Sequence, residues 1–486
     1  MSEAHAIRAQ LGDAARVVFV SGNFNVLHPG HVRLLRFARE LGDKVVVGVN
    51  PDNADGVEAP AAARLEGVAS NRHVDVAFAI TDPLLDTLRA LRPAVVVKGR
   101  EHENAPNVEE ALMLEIGGKL VFSSGEMLRF AFSDMEDEID PRRRRLLPES
   151  YMDRHGLTAS ALIQTIEKFK GLRTIVIGDL IVDDYIDCDP LGMSQEDPTL
   201  VVSPRGTRRF IGGAGIVAAH GQGLGAEVTY LSVTGDDDVA DESEARINDY
   251  GVASVLLRDD TRPTTLKQRY RALGKTLLRV SHLRQHSIGR TLSDRLVQEV
   301  RARLPQTDLI VFSDFNYGCL PNSTVAAITA LAREAGVLLT ADSQVSSQIG
   351  DISRFENMAL ITPTELEARV AMNQSSENLV VLSEQLLRKT SSKHVILTLG
   401  ADGVLIRADT DQHFTDRIAA LNSEPRDVAG AGDSLFCTAS LALTTGADIW
   451  AAGLLGSISA ACQTSRLGNI PLTSTEVIRV IETGSL

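Results

Sequence analysis

The sequence of 486 residues carries a formal net charge of −15, and its 44% of hydrophobic and 23% of charged residues are typical of a water-soluble globular protein. This length favours two or three domains, and the excess of acidic residues argues against a general nucleic-acid-binding protein. The four cysteines lie in no metal-binding or disulfide pattern and no apolar run is long enough to span a membrane, so we expect a cytoplasmic protein without zinc, disulfides or a membrane partner.

The first part of the chain predicts a mostly parallel α/β domain. Residues 17–20 form a short β-rich run, a helical pattern covers residues 29–41, and an apolar strand follows at residues 44–50. Together these segments make a βαβ unit. Further strand patterns follow at residues 76–80, 94–97 and 119–123.

A charged stretch separates this domain from the rest of the chain. Residues 134–148 contain an acidic block, two prolines and four consecutive arginines. Such a composition is typical of a solvated linker, and contact of the arginines with nucleic acid is the weaker interpretation. We therefore predict a first domain at residues 1–140, a charged linker and helix at residues 141–165, and a second domain at residues 166–486.

Two histidines near the amino end, His28 and His31, stand on either side of a Pro-Gly pair that begins the predicted helix. Proline is preorganised for a first helical turn, and glycine lets a ligand approach the backbone closely. We expect both imidazoles to face one phosphate chain, because nucleotidyl transfer needs positive charge against the phosphates. A solvated histidine pair is the alternative, and a metal site is a poorer one because no third ligand has a suitable spacing.

This region resembles the HxGH nucleotidyltransferases, and specifically their heptose-1-phosphate adenylyltransferase and glycerol-phosphate cytidylyltransferase branch. The resemblance covers about 110 residues and implies a Rossmann-like nucleotidyltransferase domain. It implies that His28 and His31 contact phosphates, that Lys44 and Arg64 add charge on the nucleotide or sugar-phosphate side, and that Gly22 and Phe24 line the nucleotide pocket.

Two features depart from the pattern of that family. Asn25 stands where the family usually has Asp. The Ser-Thr-Thr phosphate motif that the family has near residue 130 is not readable, and the nearest candidates are Arg129 and Ser133. A catalytically silent domain for nucleotide binding or oligomerisation is therefore an alternative, against which the intact histidine pair argues.

The second domain repeats strand and helix patterns to its end. Strand patterns lie at residues 174–179, 228–233, 309–312, 337–340, 359–362 and 395–398. Several of these strands end near a polar or small residue, and the carboxyl ends of parallel strands form one ligand-binding rim. Residues 185–210 and 262–280 alternate with period two, which predicts a small β-lid beside the main sheet.

The most informative segment is residues 427–434, in which small residues run straight into a helical apolar pattern. The segment predicts a tight turn that opens a helix, whose first amides favour a developing negative charge. Asp433 lies among these amides, placed to take a proton from a substrate hydroxyl while the amides of Ala431 and Gly432 hold a phosphoryl group. A glycine-rich turn with an ordinary capping Asp is the alternative.

Residues 172–475 resemble the ribokinase (PfkB) family of sugar kinases, and most of all its heptose-phosphate kinases. The resemblance implies a ribokinase-like α/β domain with Asp433 as the base and Glu367 organising magnesium through water. It implies sugar-side contacts for Asp179, Asp183, Gly212 and Gly213, and positions near ATP for Thr398, Gly400, Gly403, Gly430, Ala431 and Gly432. Asp179 is the first choice for binding sugar hydroxyls.

Three basic residues of the predicted lid, Lys267, Arg269 and Arg279, are candidates for holding a substrate phosphate, and solvated strand charge is an equally good interpretation. Ile216, Thr364 and Tyr317 stand where the family has Asn, Asn and Lys, so a substrate other than the usual heptose phosphate stays open.

The two resemblances together predict a bifunctional enzyme of nucleotide-sugar synthesis. A kinase makes a sugar phosphate, and a nucleotidyltransferase activates it with release of pyrophosphate. The family of bifunctional heptose kinase/nucleotidyltransferases has the kinase first, so the order is reversed here. ATP and Mg²⁺ are the expected cofactors, while CTP and a monovalent cation stay open. The expected partners are a sugar or sugar phosphate, a nucleoside triphosphate and further copies of the chain. A cytidylyltransferase acting on a polyol or other sugar phosphate is the alternative.

Overall fold

The computed structural model describes residues 3–12, 15–25, 29–54, 56–57, 59–99, 107–122, 146–194, 196–197, 199–273, 275–344, 350–374, 378–408 and 415–486. The chain divides into two compact units, one of Met1–Arg144 with Ser375–Glu384 and the other of Arg145–Gln374 with Gln385–Leu486. Among the described residues, every helix is too short or too polar to cross a membrane.

The first unit is a parallel sheet with helices between its strands. Its described strands are β1 (Val17–Gly22), β2 (Lys44–Val49), β3 (Val76–Ala79), β4 (Val95–Lys98) and β5 (Lys119–Phe122). Its described helices are α1 (Glu3–Leu11), α2 (Pro29–Glu40), α3 (Ala61–Ala69), α4 (Leu84–Leu91) and α5 (Glu109–Glu115). All strand pairs are parallel, in the order β3-β2-β1-β4-β5.

Valine runs explain why these segments form the buried centre of the sheet. Helices cover both faces of a parallel sheet, so its strands are apolar throughout rather than alternating. Residues 17–20 of β1 and 45–47 of β2 are fully buried accordingly. The strand order reverses between β1 and β4, and ligands of such sheets bind at the carboxyl ends of the strands at this point.

The second unit carries a larger sheet and a separate four-stranded sheet. Its described strands are β6 (Arg173–Gly178), β7 (Leu180–Met193), β8 (Leu200–Gly213), β9 (Glu227–Thr234), β10 (Ala253–Arg258), β11 (Thr265–Ala272), β12 (Lys275–His282), β13 (Leu309–Asp314), β14 (Leu338–Ser343), β15 (Leu360–Ile361), β16 (His394–Thr398), β17 (Val404–Ala408) and β18 (Thr415–Ile418). The large sheet has the order β10-β9-β6-β13-β14-β15-β16-β17-β18, and the small one the order β12-β11-β7-β8. The small sheet is the predicted β-lid.

Helices cover the large sheet of the second unit. Those described are α6 (Glu149–Arg154), α7 (Ala159–Glu167), α8 (Ala214–Gly223), α9 (Asp238–Asp249), α10 (Arg290–Arg303), α11 (Asn322–Ala335), α12 (Glu365–Met372), α14 (Ala431–Thr444), α15 (Ile449–Thr464) and α16 (Ser474–Thr483). A further helix, α13 (Leu379–Thr390), is assigned to the first unit up to Glu384 and to the second unit from Gln385. Helices α14 and α15 are apolar nearly all round, as expected of helices buried in the centre of a large domain.

The segment that precedes the large sheet packs into the core of the second unit. Tyr151 is buried, and its hydroxyl donates to the carbonyl of Trp450 at 2.9 Å. The ring of His155 stacks on Trp450 with centroids 4.2 Å apart. Arg154 makes two hydrogen bonds to the buried carboxylate of Asp416, at 2.7 and 3.0 Å. Helix α6 is therefore part of this core, while the domain boundaries at residues 140 and 165 stay predictions.

Candidate active sites

The catalytic turn of the second unit precedes helix α14. Gly430 has a φ of 76°, and a side chain there would clash with Asn469, so both the conformation and the space favour glycine. Gly432, in the first turn of the helix, has open space where a side chain would point. The first amides of a helix lack partners within it and favour an anion. The amide of Ala431 makes only a long hydrogen bond, 3.4 Å, to the carbonyl of Val428.

Asp433, also in that first turn, is almost completely buried. Burial first, and then the nearby charge of Asp183, raise the pKa of its carboxyl to about 7, while the charge of Lys267 opposes this effect. The side-chain amide of Gln344 donates to Asp433 at 3.5 Å. A carboxylate with a pKa near 7 is well suited to accept a proton at neutral pH.

The lid brings the substrate-side candidates together opposite Asp433. Asp183 on β7 is paired in register with Lys267 on β11 and forms an ion pair with Arg269. A Cβ added to Gly212 on β8 would lie 2.8 Å from a carboxylate oxygen of Asp183, so the glycine leaves room beside it. Arg279 on β12 faces Arg269 in the register and is exposed.

Asp179 is held differently from Asp183. Its carboxylate accepts hydrogen bonds from the backbone amides of Phe315 at 2.9 Å, Tyr317 at 3.3 Å and Cys319 at 3.1 Å. Burial, followed by the charge of Asp314, raises its pKa to about 6. These contacts fix the loop after β13, and the assignment of sugar hydroxyls to Asp179, the first choice from sequence, stays a prediction. Gly213, with a φ of 58°, is held close to the backbone of Asp179.

A second group of acidic residues lies near Asp433. Burial raises the pKa of Asp342 well above its usual value, and the charges of Glu367 and Asp433 add to this effect, while Thr362 donates a hydrogen bond to Asp342 at 3.0 Å. Glu367 closes a capping box at the start of α12, in which it accepts from the amide of Thr364 at 2.7 Å. No cluster of three His, Cys, Asp or Glu side chains in the described residues is arranged to hold a metal directly.

The residues predicted to lie near ATP follow strand β16. Thr398 bridges to Thr364, which places this segment beside the start of α12 and Glu367. Gly400 and Gly403 both have positive φ values, 60° and 85°, and a side chain at Gly403 would clash with the carbonyl of Ile418. These glycines form the tight turn between β16 and β17.

The candidate site of the first unit lies at the carboxyl end of β1. Phe24 is buried with a φ of 50°, and its ring lies 5.0 Å from the ring of His31. A Cβ on Gly22 would be 3.2 Å from the Phe24 ring, so glycine leaves room for this ring at the strand end. The other predicted histidine, His28, lies outside the described residues, as do Arg129 and Ser133.

Of the two basic residues predicted for this site, Lys44 lies away from it and Arg64 lies beside it. Lys44 begins β2 and pairs with Val17, at the opposite end of the strand from Gly22, about 17 Å away at 3.3 Å per residue. Its ammonium group donates to Asp75 at 3.1 Å, so the assignment of Lys44 to the nucleotide side is not supported. Arg64 is buried, and its guanidinium donates to the carbonyls of Ala59 and Asn23 and to Asp52. Arg64 thus orders the loop after β1.

Lys98, which is not among the site residues predicted from sequence, ends β4 beside β1. Its ammonium group donates to Asn107 at 3.0 Å and to the buried carboxylate of Glu109 at 2.8 Å. A lysine directly after a buried valine strand next to the reversal of strand order is the signal that could have indicated it. Among the described residues, Lys98 is thus a cation at the carboxyl end of β4, next to the end of β1.

Together, a base in the first turn of a buried helix, an acidic cluster beside it and a four-stranded lid define a phosphotransferase of ribokinase-like architecture. The family model of the pfkB family carbohydrate kinases matches residues 173–476, and the chain belongs to this family. The cytidylyltransferase-like model matches residues 19–117, ahead of the kinase match. These matches confirm the predicted fold class and the predicted classes of enzyme.

The chain is also similar to curated proteins named bifunctional protein HldE. It is 27% identical to the protein of Desulfatibacillum aliphaticivorans over 64% of this chain and 63% of the relative. It is 29% identical to that of Mesorhizobium japonicum over 65% of this chain and 63% of the relative. The chain thus spans less than two thirds of the length of these relatives, and a domain order reversed relative to them stays a prediction.

Among solved structures, ribokinase from Giardia lamblia matches with a TM-score of 0.53 and 19% identity, over 65% of this chain and 100% of that one. Phosphofructokinase-2 from Escherichia coli in complex with potassium matches with a TM-score of 0.51 and 13% identity, over 65% of this chain and 99% of that one. At these identities the likeness concerns the fold alone.

Proposed function

We propose that this chain is a bifunctional enzyme of nucleotide-sugar synthesis. The second unit phosphorylates a hydroxyl of a sugar or sugar phosphate with ATP, and the first unit transfers a nucleotidyl group from ATP or CTP to a sugar phosphate with release of pyrophosphate. The observation that carries the kinase half is Asp433, a buried carboxyl with a pKa of about 7 in the first turn of α14. The substrate we favour is a heptose phosphate, on the basis of the sequence resemblance.

In the kinase reaction, the oxygen of the substrate hydroxyl forms a bond to the γ-phosphorus of ATP, and Asp433 accepts the proton of that hydroxyl. The bond from that phosphorus to the bridging oxygen breaks, and ADP leaves with the electron pair. The amides of Ala431 and Gly432 stabilise the charge on the transferring group. Asp183, next to the space that Gly212 leaves open, accepts hydrogen bonds from sugar hydroxyls and orients the acceptor.

Magnesium fits this site as the partner of the ATP phosphates. Glu367, Asp342 and Asp433 supply carboxyl oxygens without forming a three-ligand cluster, a donor set suited to an ion that keeps several waters. When bound with ATP, such an ion neutralises charge on the phosphates. Glu367 would orient its water shell from the start of α12.

Potassium, present in the solved complex of the Escherichia coli phosphofructokinase-2, does not fit the oxygens next to the catalytic turn here. The carbonyls of Ala429 and Gly468 both accept from the side-chain amide of Gln463. Both oxygens of Asp427 accept from backbone amides. No step of the proposed reaction therefore involves a monovalent cation.

For the transferase we propose that the phosphates bind at the carboxyl ends of the neighbouring strands β1 and β4. His31, on the helix α2 that follows β1, and Lys98, at the end of β4, supply positive charge to these phosphates. Gly22 and Phe24 form the floor of the nucleotide pocket. His28 would complete the phosphate clamp. The alternatives are a cytidylyltransferase acting on a polyol phosphate and a silent nucleotide-binding module. A homo-oligomeric state and a cytoplasmic location also stay predictions.

Two assays on the full chain test this proposal. The first measures ADP formation from ATP with a panel of sugars and sugar monophosphates, heptose 7-phosphate among them. The second measures pyrophosphate release from ATP and from CTP with sugar 1-phosphates and polyol phosphates. Activity in both supports the bifunctional proposal. Kinase activity without pyrophosphate release from any pair supports the silent-module alternative, and no ADP formation with any acceptor contradicts the kinase half.

A further inference from the structure

A buried amide lies directly behind the catalytic turn. Gln463, in the last turn of helix α15, is fully buried. Its Nε2 donates to the carbonyl oxygen of Gly468 at 3.0 Å and to that of Ala429 at 3.3 Å. Ala429 belongs to the catalytic turn and Gly468 to the loop that follows α15. One side-chain nitrogen therefore joins two loop backbones through their carbonyl oxygens.

The carboxylate of Asp427 contacts the same two residues from their amide side. Its Oδ1 accepts from the amide of Ala429 at 3.1 Å, and its Oδ2 accepts from the amide of Gly468 at 3.0 Å. The hydroxyl of Tyr185, from lid strand β7, also donates to Asp427 at 3.1 Å. Ala429 and Gly468 are thus each bound twice, once through N–H and once through C=O.

The orientation of the Gln463 amide is determined by its surroundings. Arg466 lies 3.4 Å from the Oε1 of Gln463, so this oxygen faces a donor and the nitrogen faces the two carbonyls. Arg466 is itself fixed by Glu476 at 2.8 Å and by the carbonyl of Ile470 at 2.9 Å. A Cβ added to Gly430 would lie 3.5 Å from this nitrogen, which places the amide against the turn itself.

Two convergent carbonyls next to a carboxylate are a donor set that monovalent cations also bind. A cation there would draw the two loops together and add positive charge behind the helix start. The amide of Gln463 draws the two loops together as such a cation would. It adds less positive charge than a cation, because its N–H groups carry only partial charge. The buried Oδ1 of Asn469, next to Gly430, has no hydrogen-bond partner and is a further oxygen at this position.

We propose that Gln463 is a positioning residue that takes the place of a bound monovalent cation, so that the kinase needs neither potassium nor sodium. This inference rests on the proposed kinase function. The amide holds Ala429, and through it the turn that leads to Ala431, Gly432 and Asp433, in the conformation that receives the transferred phosphoryl group.

The first experiment compares potassium chloride with tetramethylammonium chloride at equal ionic strength, using the full wild-type chain. We expect kcat for ADP formation to differ by less than about twofold, because an internal donor already occupies the two carbonyls. An activation of fivefold or more by potassium would overturn the proposal.

The second experiment compares Gln463→Ala with Gln463→Met. The alanine leaves room for a cation beside the two carbonyls, while the methionine fills that room without a donor. In tetramethylammonium chloride both variants should lose kcat by on the order of tenfold or more. Potassium should restore Gln463→Ala and leave Gln463→Met unchanged. A purely structural role predicts that neither variant responds to potassium, and that result contradicts the proposal.

A readout independent of catalysis separates this inference from the proposed function. The Tm of Gln463→Ala should rise in potassium relative to tetramethylammonium, while the Tm of wild type should not depend on the cation. Gln222→Ala is the matched control, because Gln222 also bonds the backbone, at the amide of Val228, from the end of helix α8. If the wild-type chain forms no ADP, the kinase proposal fails, and the Tm comparison still decides the cation question. A Tm rise specific to potassium in wild type overturns the inference.

Discussion

The carboxyl of Asp433 on helix α14 and that of Asp183 on lid strand β7 are electrostatically coupled, and the charge of Asp183 raises the pKa of Asp433. One belongs to the body of the second unit and the other to its lid. Lys267, the register partner of Asp183 on β11, lowers the same pKa. Substitutions of Asp183 and of Lys267 should therefore change the pKa of Asp433 in opposite directions, and this change can be measured in the pH dependence of the kinase reaction.

The first prediction concerns Asp433→Asn. The substitution removes the proton acceptor and retains the turn and its amides, so kcat for phosphoryl transfer should fall by about a hundredfold or more. ATP binding should change little. The measurement is ADP formation together with ATP titration of the variant, and Asp238→Asn, in the first turn of helix α9, is the control for loss of an acidic residue at a helix start. Near-normal turnover by Asp433→Asn would remove Asp433 from the mechanism.

The same substitution should stabilise the protein at alkaline pH. Since the pKa of Asp433 is about 7 in the folded chain against an ordinary value of 3.8 for a solvated aspartate, the unfolded chain binds fewer protons than the folded chain between about pH 4 and 7. The free energy of unfolding therefore falls as pH rises through this range. Asn removes this penalty, which is a few kcal/mol at about 1.4 kcal/mol per pKa unit. Thermal unfolding at pH 5 and pH 8 should show a gain in Tm for Asp433→Asn only at pH 8.

The acid limb of the kinase pH profile should respond in opposite directions to two lid substitutions. Asp183→Asn removes a charge that raises the pKa of Asp433, so the limb should move to lower pH. Lys267→Met removes a charge that lowers it, so the limb should move to higher pH, each by about one unit or less. The measurement is kcat against pH. Arg279→Met, on the exposed strand β12, is the matched control and should leave the limb in place. Shifts of both variants in the same direction would contradict the coupling.

How far the sequence predicts this structure depends on the kind of feature. The positions of strands β1, β2 and β13 can be predicted from their valine and isoleucine runs, and the lid from its period-two alternation. Both predictions work because apolar residue types are the ones that strands bury. The catalytic turn can be predicted equally well, since a run of small residues directly before an apolar helical pattern is typical of a tight turn that begins a buried helix. The sequence predicts only that Arg269 and Arg279 lie on the lid, and their pairing across β11 and β12 comes from the register.

Side-chain roles are less readable, because they depend on register and on partners distant in sequence. Lys44 is adjacent to the site in sequence, but register places it at the amino end of β2. Asp179 and Asp183 have the same side chain, and only the loop of residues 315–319 distinguishes them by supplying amides to Asp179. Gln463 and Asp427 are 36 positions apart, and no sequence pattern indicates that they hold the same two residues.

A further prediction concerns the start of an independent kinase fragment. A start between the charged stretch and the predicted second domain, such as residue 156, removes Tyr151 and Arg154 from the core of the second unit. A fragment of residues 146–486 should fold and retain kinase activity. A fragment of residues 156–486 should be less stable, because Asp416 is then left buried without the Arg154 guanidinium, a loss of about 3–5 kcal/mol for a broken buried pair.

The fragments are compared by urea unfolding and by ADP formation, with Arg154→Met in the longer fragment as the matched test of the ion pair. This variant should reproduce most of the loss of stability. Equal stability of the two fragments would show that helix α6 is dispensable for the core. An insoluble longer fragment, with an active full chain, would contradict independent folding of the second unit.

The last prediction separates the two activities. His31→Ala and Lys98→Met should each lower pyrophosphate release, mainly through kcat, because both cations are assigned to phosphates on which charge builds up as pyrophosphate leaves. Removal of one preorganised group of this kind costs on the order of a hundredfold. His28→Ala should behave like His31→Ala, and Lys44→Met, at the opposite end of the sheet, is the matched control that should retain transfer. None of these variants should change ADP formation by the kinase.

Since Lys98 also pairs with the buried Glu109, Lys98→Met is measured alongside the double variant with Glu109→Gln, which removes the unpaired charge. Transfer that survives in both His31→Ala and Lys98→Met would mean that the phosphates bind elsewhere, and loss of transfer in Lys44→Met would return that lysine to the site.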